Sequence, residues 1–257
     1  MKITNLTCKS ALSKSSLPGL NYSLNPYRGC QHNCAYCYVP NILRIKREEW
    51  GEFVKIKTNI PNVLSKELRY KKPGIVALST VTDPYQPVEK KYKLTRYCIE
   101  QLLRYDFPIS IQTKSKLIIR DFDLISKFSN AEVLISIGTL NDNERKIIEP
   151  YASSINDRLE VIKKLSNKGI NVTVFFGPIY PTIRINDLKE IIETFHKYDA
   201  SEIMYDKLNK KPGILNNILK FSPNWNILTE DKYNYKKIYE EIEKICKIKN
   251  IKVSSAF

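Results

Sequence analysis

Three cysteines within eight residues, Cys30, Cys34 and Cys37, spaced CxxxCxxC, are the residues of this 257-residue chain whose types and spacing could do chemistry. Tyr36 precedes the last of them and Tyr38 follows it, while Pro26 and Gly29 stand before the first. Thiolates so arranged are a metal loop rather than core packing. A structural zinc takes four ligands, commonly as two separated pairs, and no second pair is present. His32 would complete a Cys3His set, but between Cys30 and Cys34 it is cramped against the same ion. Iron–sulfur cubes normally take four cysteines. Three in one compact loop would hold three irons and leave a fourth open to an external ligand. Cys8, Cys98 and Cys246 are scattered singly without ligand spacing, so reduced thiols in a reducing compartment are expected.

The elements that must position this loop are short apolar strands alternating with helices. Strands are expected at 75–79, 109–113, 133–137, 170–176 and 203–205, each an apolar run of strand length. Helices are expected at 41–50, 61–70, 88–105, 121–128, 156–167, 187–198 and 230–248. The stripe Tyr92, Cys98, Ile99, Leu102 and Leu103 puts Cys98 in the core; Cys246 lies beside a similar stripe, and His196 is an ordinary surface residue. Such alternation indicates an α/β fold with a parallel sheet covered by helices. About six units suit an open or partial barrel, in which chemistry gathers at the carboxyl ends of the strands. No repeat, linker or low-complexity tract divides the chain, so a single domain over 1–257 is expected, with a core at about 20–210 and a helical C-terminal extension at 211–257.

A hydrophobic fraction of 42% and the lack of any run of about 18 apolar residues argue for a soluble, cytoplasmic protein with no membrane span. The formal charge of +15 suits a nucleic-acid partner, because Lys and Arg neutralise phosphates. A compositional bias toward Lys, Ile and Asn accounts for the same charge equally well.

CxxxCxxC with Tyr36 before its last cysteine resembles the signature of radical S-adenosylmethionine (SAM) enzymes. The blocks 25–38, 79–89, 113–121, 136–140 and 149–150, with Arg158-Leu159 and 169–178, are similar to the spore photoproduct lyase-like branch, the DNA repair photolyase-type radical SAM proteins. The resemblance implies a partial (β/α)6 TIM-like barrel with short N-terminal and C-terminal extensions. It implies a 4Fe-4S cluster on Cys30, Cys34 and Cys37, with SAM chelated at the open iron. Reductive cleavage of SAM would give a 5'-deoxyadenosyl radical that abstracts hydrogen from substrate, with electrons from a donor such as a ferredoxin or flavodoxin.

Site residues follow from the same resemblance. Lys114, just past a strand, is expected as partner of the SAM carboxylate, and Ser136 as a SAM contact, with Thr139 near its strand's end. Thr80 and Thr82 are expected around the SAM amino group, with Asp83 and Tyr85 completing that loop. Tyr36 is expected against adenine or the cluster, Arg158 near the SAM carboxylate, and Gly177 where the backbone approaches the adenine. Tyr38 and Tyr85 are the catalytic candidates for hydrogen transfer. One departure stands out: the photoproduct lyases return hydrogen from a cysteine after the cluster loop, and 75–89 contains none. A nucleic acid is therefore the expected substrate class without thymine-dimer repair being specified. Radical modification of a protein or small metabolite, and a non-catalytic metal-containing nucleic-acid-binding module, stay open as alternatives.

Overall fold

A computed structural model describes residues 1–228 and 233–256. Among them the strands run β1 (Lys2–Leu6), β2 (Leu12–Lys14), β3 (Tyr22–Leu24), β4 (Tyr27–Arg28), β5 (Phe53–Lys57), β6 (Val76–Leu78), β7 (Ile109–Thr113), β8 (Ala131–Ser136), β9 (Asn171–Phe176), β10 (Glu202–Tyr205) and β11 (Lys252–Ser255). The main sheet has the order β11-β10-β9-β8-β7-β6-β3-β2, and β1-β5-β4 form a second, three-stranded one. From β3 through to β11 every pair in the main sheet is parallel; only β2 runs antiparallel, to β3.

Parallel neighbours need crossovers, and helices supply them. The helix Ile60–Glu67 precedes β6, Leu94–Leu103 precedes β7, Ile155–Ser166 precedes β9 and Leu188–Lys197 precedes β10. Val76, Val133, Val172, Val174 and Ile203 are fully buried, as strands covered by helices require. The result is an α/β fold whose sheet stays open between β11 and β2, as the expected partial barrel requires.

The five expected strands are present, with ends shifted by a residue or two. The helices differ more. The stretch 88–105 is two helices, Glu89–Tyr92 and Leu94–Leu103, broken where Lys93 takes a left-handed conformation with φ +53°. The stretch 41–50 is a helix Val39–Leu43 and a separate turn Arg47–Glu49, and 121–128 holds only the short helix Phe122–Ile125 after the turn Lys116–Asp121. The last helix is Tyr235–Lys249, with Asn234 accepting from the Lys237 N–H as its cap; the expected start at 230–232 lies outside the described residues. The C-terminal segment is not helical to its end, because β11 pairs with β10 and extends the main sheet. Cys98 and Cys246 are fully buried, and His196 is exposed. No helix among the described residues is long and apolar enough to cross a membrane.

Candidate functional site

The cysteine loop leaves the carboxyl end of β3, and residues from distant parts of the chain pin its backbone. Ile148, ending the helix Asp142–Ile148, accepts from the Ala35 N–H at 2.8 Å, and Asn217 donates to the Ala35 carbonyl at 2.8 Å. Thr82 Oγ1 and Gln86 Nε2 both donate to the Gly29 carbonyl, at 2.8 and 3.2 Å. Gln86 Oε1 accepts from the Gln31 N–H at 2.9 Å. Asn25 Oδ1, ahead of the loop, accepts from the N–H groups of Thr80 and Val81 at 3.1 Å each. The loop after β6 is thus riveted to the cysteine loop.

All three cysteines carry free thiols; Cys30 and Cys34 are buried and Cys37 is partly so. Burial pushes Cys30 up to about 12, reinforced by the Asp83 carboxylate, and burial likewise raises Cys34 and Cys37. The charges of Cys30 and Cys37 add to the penalty on Cys34. Thiolates packed together out of water require a cationic centre, and three cysteines are the donor set of a cluster with one open iron. Among the described residues no three Cys, His, Asp or Glu side chains converge on one ion. Ligands of a single zinc must converge, whereas ligands of a cube each go to a different iron. His32 points elsewhere: its Nδ1 lies 3.0 Å from the Tyr151 carbonyl and its Nε2 is in ion-pair contact with Asp83 Oδ2 at 3.2 Å. The donor set present fits an iron–sulfur cube and not a Cys3His zinc.

Asp83 is the hub between this loop and the next strand. Its carboxylate accepts from Thr113 Oγ1 at 2.7 Å, from the Lys114 N–H at 2.8 Å and from the Tyr85 N–H at 2.8 Å. Burial opposes its charge, but His32, the Lys114 N–H and the Thr113 hydroxyl hold it down at about 2.

Lys114 and Ser136 meet across β7 and β8. Thr113 pairs with Ile135, so the next residues on each strand face one another, and Lys114 Nζ donates to Ser136 Oγ at 2.9 Å. The same ammonium stands 5.7 Å from the centre of the Tyr36 ring. Tyr36 donates its hydroxyl to Glu149, which is also paired with Arg158. Burial works to raise Glu149, yet the Arg158 guanidinium, Lys114 and the Tyr36 hydroxyl hold it below the usual carboxylate range. A cation, a hydroxyl and an aromatic ring therefore converge beside the cysteines, at the carboxyl ends of β7 and β8.

Other expected residues are placed differently. Arg158 is not a free cation: it is 1% exposed, and its guanidinium donates to Glu149, to the Ser136 carbonyl at 2.8 Å and to the Ser153 carbonyl at 2.9 Å. Thr82 spends its hydroxyl on Gly29 and accepts from Gln86, and Thr80 takes a long 3.4 Å contact from Asn25. Tyr85 is fully buried beside Asp121 and Glu89, away from any opening. Tyr38 is 37% exposed, with its hydroxyl pushed up by burial and by the nearby charges of Cys37 and Asp206. The space a Cβ on Gly177 would need is filled by the Phe175 ring, 2.5 Å away, rather than left for a ligand. Thr139 caps its own turn, accepting from the Asn141 N–H at 3.1 Å. A cavity of about 700 Å³ lined by Glu144, Thr182, Arg184 and Phe221 touches none of the cysteines. Glu149, Asp83 with His32, Asn25 and Gln86 organise the site without having been assigned these roles from sequence.

Comparison with known proteins agrees with this arrangement. The sequence pattern of the Radical SAM superfamily matches residues 24–195. An uncharacterized protein of Methanocaldococcus jannaschii is 35% identical over 185 residues, 71% of this chain and 70% of that protein. A radical SAM Nalpha-GlyT isomerase of Pseudomonas phage M6 is 28% identical over 165 residues, covering 63% of this chain and 34% of that enzyme. Among solved structures, spore photoproduct lyase complexed with dinucleoside spore photoproduct superposes with a TM-score of 0.76 at 15% identity, covering 99% of this chain and 82% of that one. That last likeness is one of fold.

Proposed function

Because the chain belongs to the radical SAM superfamily, we propose that it is a radical SAM enzyme using a 4Fe-4S cluster and SAM to abstract hydrogen from a nucleic acid. The observation that carries the proposal is the convergence of Tyr36, Lys114 and Ser136 beside three buried cysteines. Cys30, Cys34 and Cys37 would hold the cluster. Lys114 and Ser136 would hold SAM, with Tyr36 as an apolar wall and Thr80 at the rim. When bound, this pair supplies reductive cleavage of the sulfonium to methionine and a 5'-deoxyadenosyl radical. The chain's residues do the rest. Lys114 offers a charge-assisted hydrogen bond to a carboxylate, Asp83 fixes the Lys114 backbone, and Glu149 orients the Tyr36 ring. Tyr38, at the exposed edge of the loop, would take part in hydrogen transfer. We assign the whole chain, 1–257, to one such unit, working in the cytoplasm with a ferredoxin or flavodoxin as reductant.

Anaerobic reconstitution should give about four irons per chain, and SAM with dithionite should give 5'-deoxyadenosine. Lys114→Ala should keep the iron and weaken SAM binding roughly tenfold or more, the worth of one charge-assisted hydrogen bond. A fully loaded cluster that yields no 5'-deoxyadenosine would overturn the proposal.

For the substrate, the charge of +15 supports a nucleic acid. So do the printed names of two similar proteins, one acting on a dinucleoside spore photoproduct and one on Nalpha-GlyT. Deuterium transfer into 5'-deoxyadenosine from labelled irradiated DNA or tRNA tests it. No transfer from either would move the proposal to a protein side chain or a small metabolite.

A further inference from the structure

The segment after the cysteine loop folds back and presses on it at two points. At Gly51, φ +91°, a Cβ would sit 2.3 Å from Cγ of Asn33 inside the loop. At Gly29, φ +93°, a Cβ would sit 2.3 Å from the Phe53 carbonyl oxygen. Such distances admit no side chain, so the corner at 50–53 lies directly against the loop from Gly29 to Asn33. The corner is held by its own bonds: the Trp50 N–H donates to the Arg47 carbonyl at 3.1 Å, and the Arg47 guanidinium donates to the carbonyl of Cys37.

Trp50 occupies this corner. It is 3% exposed and packs with Cys30 and Val39 in an apolar cluster separate from the main core, joined by Cys37, Leu43, Ile45 and Val81. Two of the three cysteines that would hold the cluster therefore share a wall with one indole. N–H groups also face these sulfurs: the backbones of His32 and Asp83 favour the thiolate of Cys30, and the backbone of Val39 with the Trp50 side chain favours that of Cys37. Of these donors only the indole belongs to a side chain, so it alone is open to substitution. Hydrogen bonds to ligating sulfurs and exclusion of water are two of the means by which a protein sets the potential of an iron–sulfur centre.

We propose that Trp50 is a tuning residue of the iron–sulfur centre, its ring closing Cys30 and Cys37 off from water and its N–H stabilising the sulfur of Cys37 when the centre gains an electron. The inference rests on the reading that Cys30, Cys34 and Cys37 hold a cluster. It adds a second role for the corner, beyond packing: Trp50→Phe keeps an aromatic wall and removes the donor, so the reduced centre loses stabilisation while the loop keeps its cover.

The test uses the full chain, reconstituted anaerobically and poised at the potential where half the wild-type centres are reduced. Trp50→Phe should retain the wild-type iron content, and its ratio of reduced to oxidised centres, read by electron paramagnetic resonance, should fall about tenfold, 59 mV for one electron. An unchanged ratio at full iron content overturns the inference. The second readout keeps Trp50 in place. The chain has two tryptophans, Trp50 and Trp225. In a Trp225→Phe background the remaining emission should drop by most of its intensity as the cluster assembles against the indole. Emission unchanged on full loading overturns the contact. A wild-type chain that takes up no iron overturns the cluster reading itself, and the role of Trp50 with it.

Discussion

Glu149 and Arg158 form an ion pair in which each side chain is only 1% exposed. The pair does more than neutralise itself. Glu149 also accepts the Tyr36 hydroxyl, and Arg158 also donates to the carbonyls of Ser136 and Ser153. One buried pair thus ties the aromatic of the cysteine loop to the end of β8. Removing one member of a buried pair leaves an uncompensated charge, at a cost of about 3–5 kcal/mol. Arg158→Met should lose that much stability in urea unfolding, and a loss under about 1 kcal/mol would show that Glu149 finds another partner.

Asp83 makes the site sensitive to acid in a direction its geometry fixes. Its carboxyl is held at about 2, against an ordinary 3.8. A depressed folded value stabilises the fold fully above the ordinary value, and that stability is lost as pH falls from about 4 through 2. At about 1.36 kcal/mol per unit the contribution is roughly 2 kcal/mol. Unfolding midpoints of the wild type and Asp83→Asn should differ at pH 7 and draw together toward pH 2. A constant gap across that window would mean that the carboxylate's charge is not what stabilises the loop.

Gln86 is fully buried and spends its amide on the cysteine loop and on Thr82. Truncation orphans the Gln31 N–H and leaves the Gly29 carbonyl with Thr82 alone, costing roughly 2 kcal/mol. The backbone from Gly29 to Gln31 adjoins Cys30, so Gln86→Ala should also hold less iron than wild type after reconstitution and gel filtration. Lys90→Ala, an exposed change on the following helix, should leave the iron content alone. Equal iron in both would confine Gln86 to packing.

How much of this the sequence shows depends on distance along the chain. Ile109 to Thr113 is an apolar run of strand length, so both the strand and the exit position of Lys114 are legible. The parallel register that sets Thr113 beside Ile135 then brings in Ser136 without further information. Strands β2, β3 and β4 have two or three residues each, too few to display a period. Glu149 is 113 residues from Tyr36, and it follows a helix that no strong apolar stripe announces. A polar residue's role is set by the partner that folding brings to it, which explains why Arg158 reads as a free cation in sequence and is saturated in the fold. The same holds for Asp83, legible as a loop member but not as the partner of His32.

The two tyrosines proposed from sequence for hydrogen transfer separate on exposure. Tyr38 is 37% exposed, next to a cysteine of the loop, whereas Tyr85 is fully enclosed and its hydroxyl has no hydrogen-bond partner. Hydrogen transfer needs contact with the reacting atoms, which Tyr38 can make and Tyr85 cannot. A buried hydroxyl without a partner contributes a desolvation cost and no bond, so Tyr85→Phe should leave turnover unchanged and stability equal or slightly higher. Tyr38→Phe should leave SAM cleavage intact but break its coupling to product, so that more 5'-deoxyadenosine accumulates for each product molecule. Chromatographic counting of both products over one reaction time gives that ratio. An elevated ratio in Tyr85→Phe, or an unchanged one in Tyr38→Phe, would reverse the assignment and require the loop after β6 to open during the reaction.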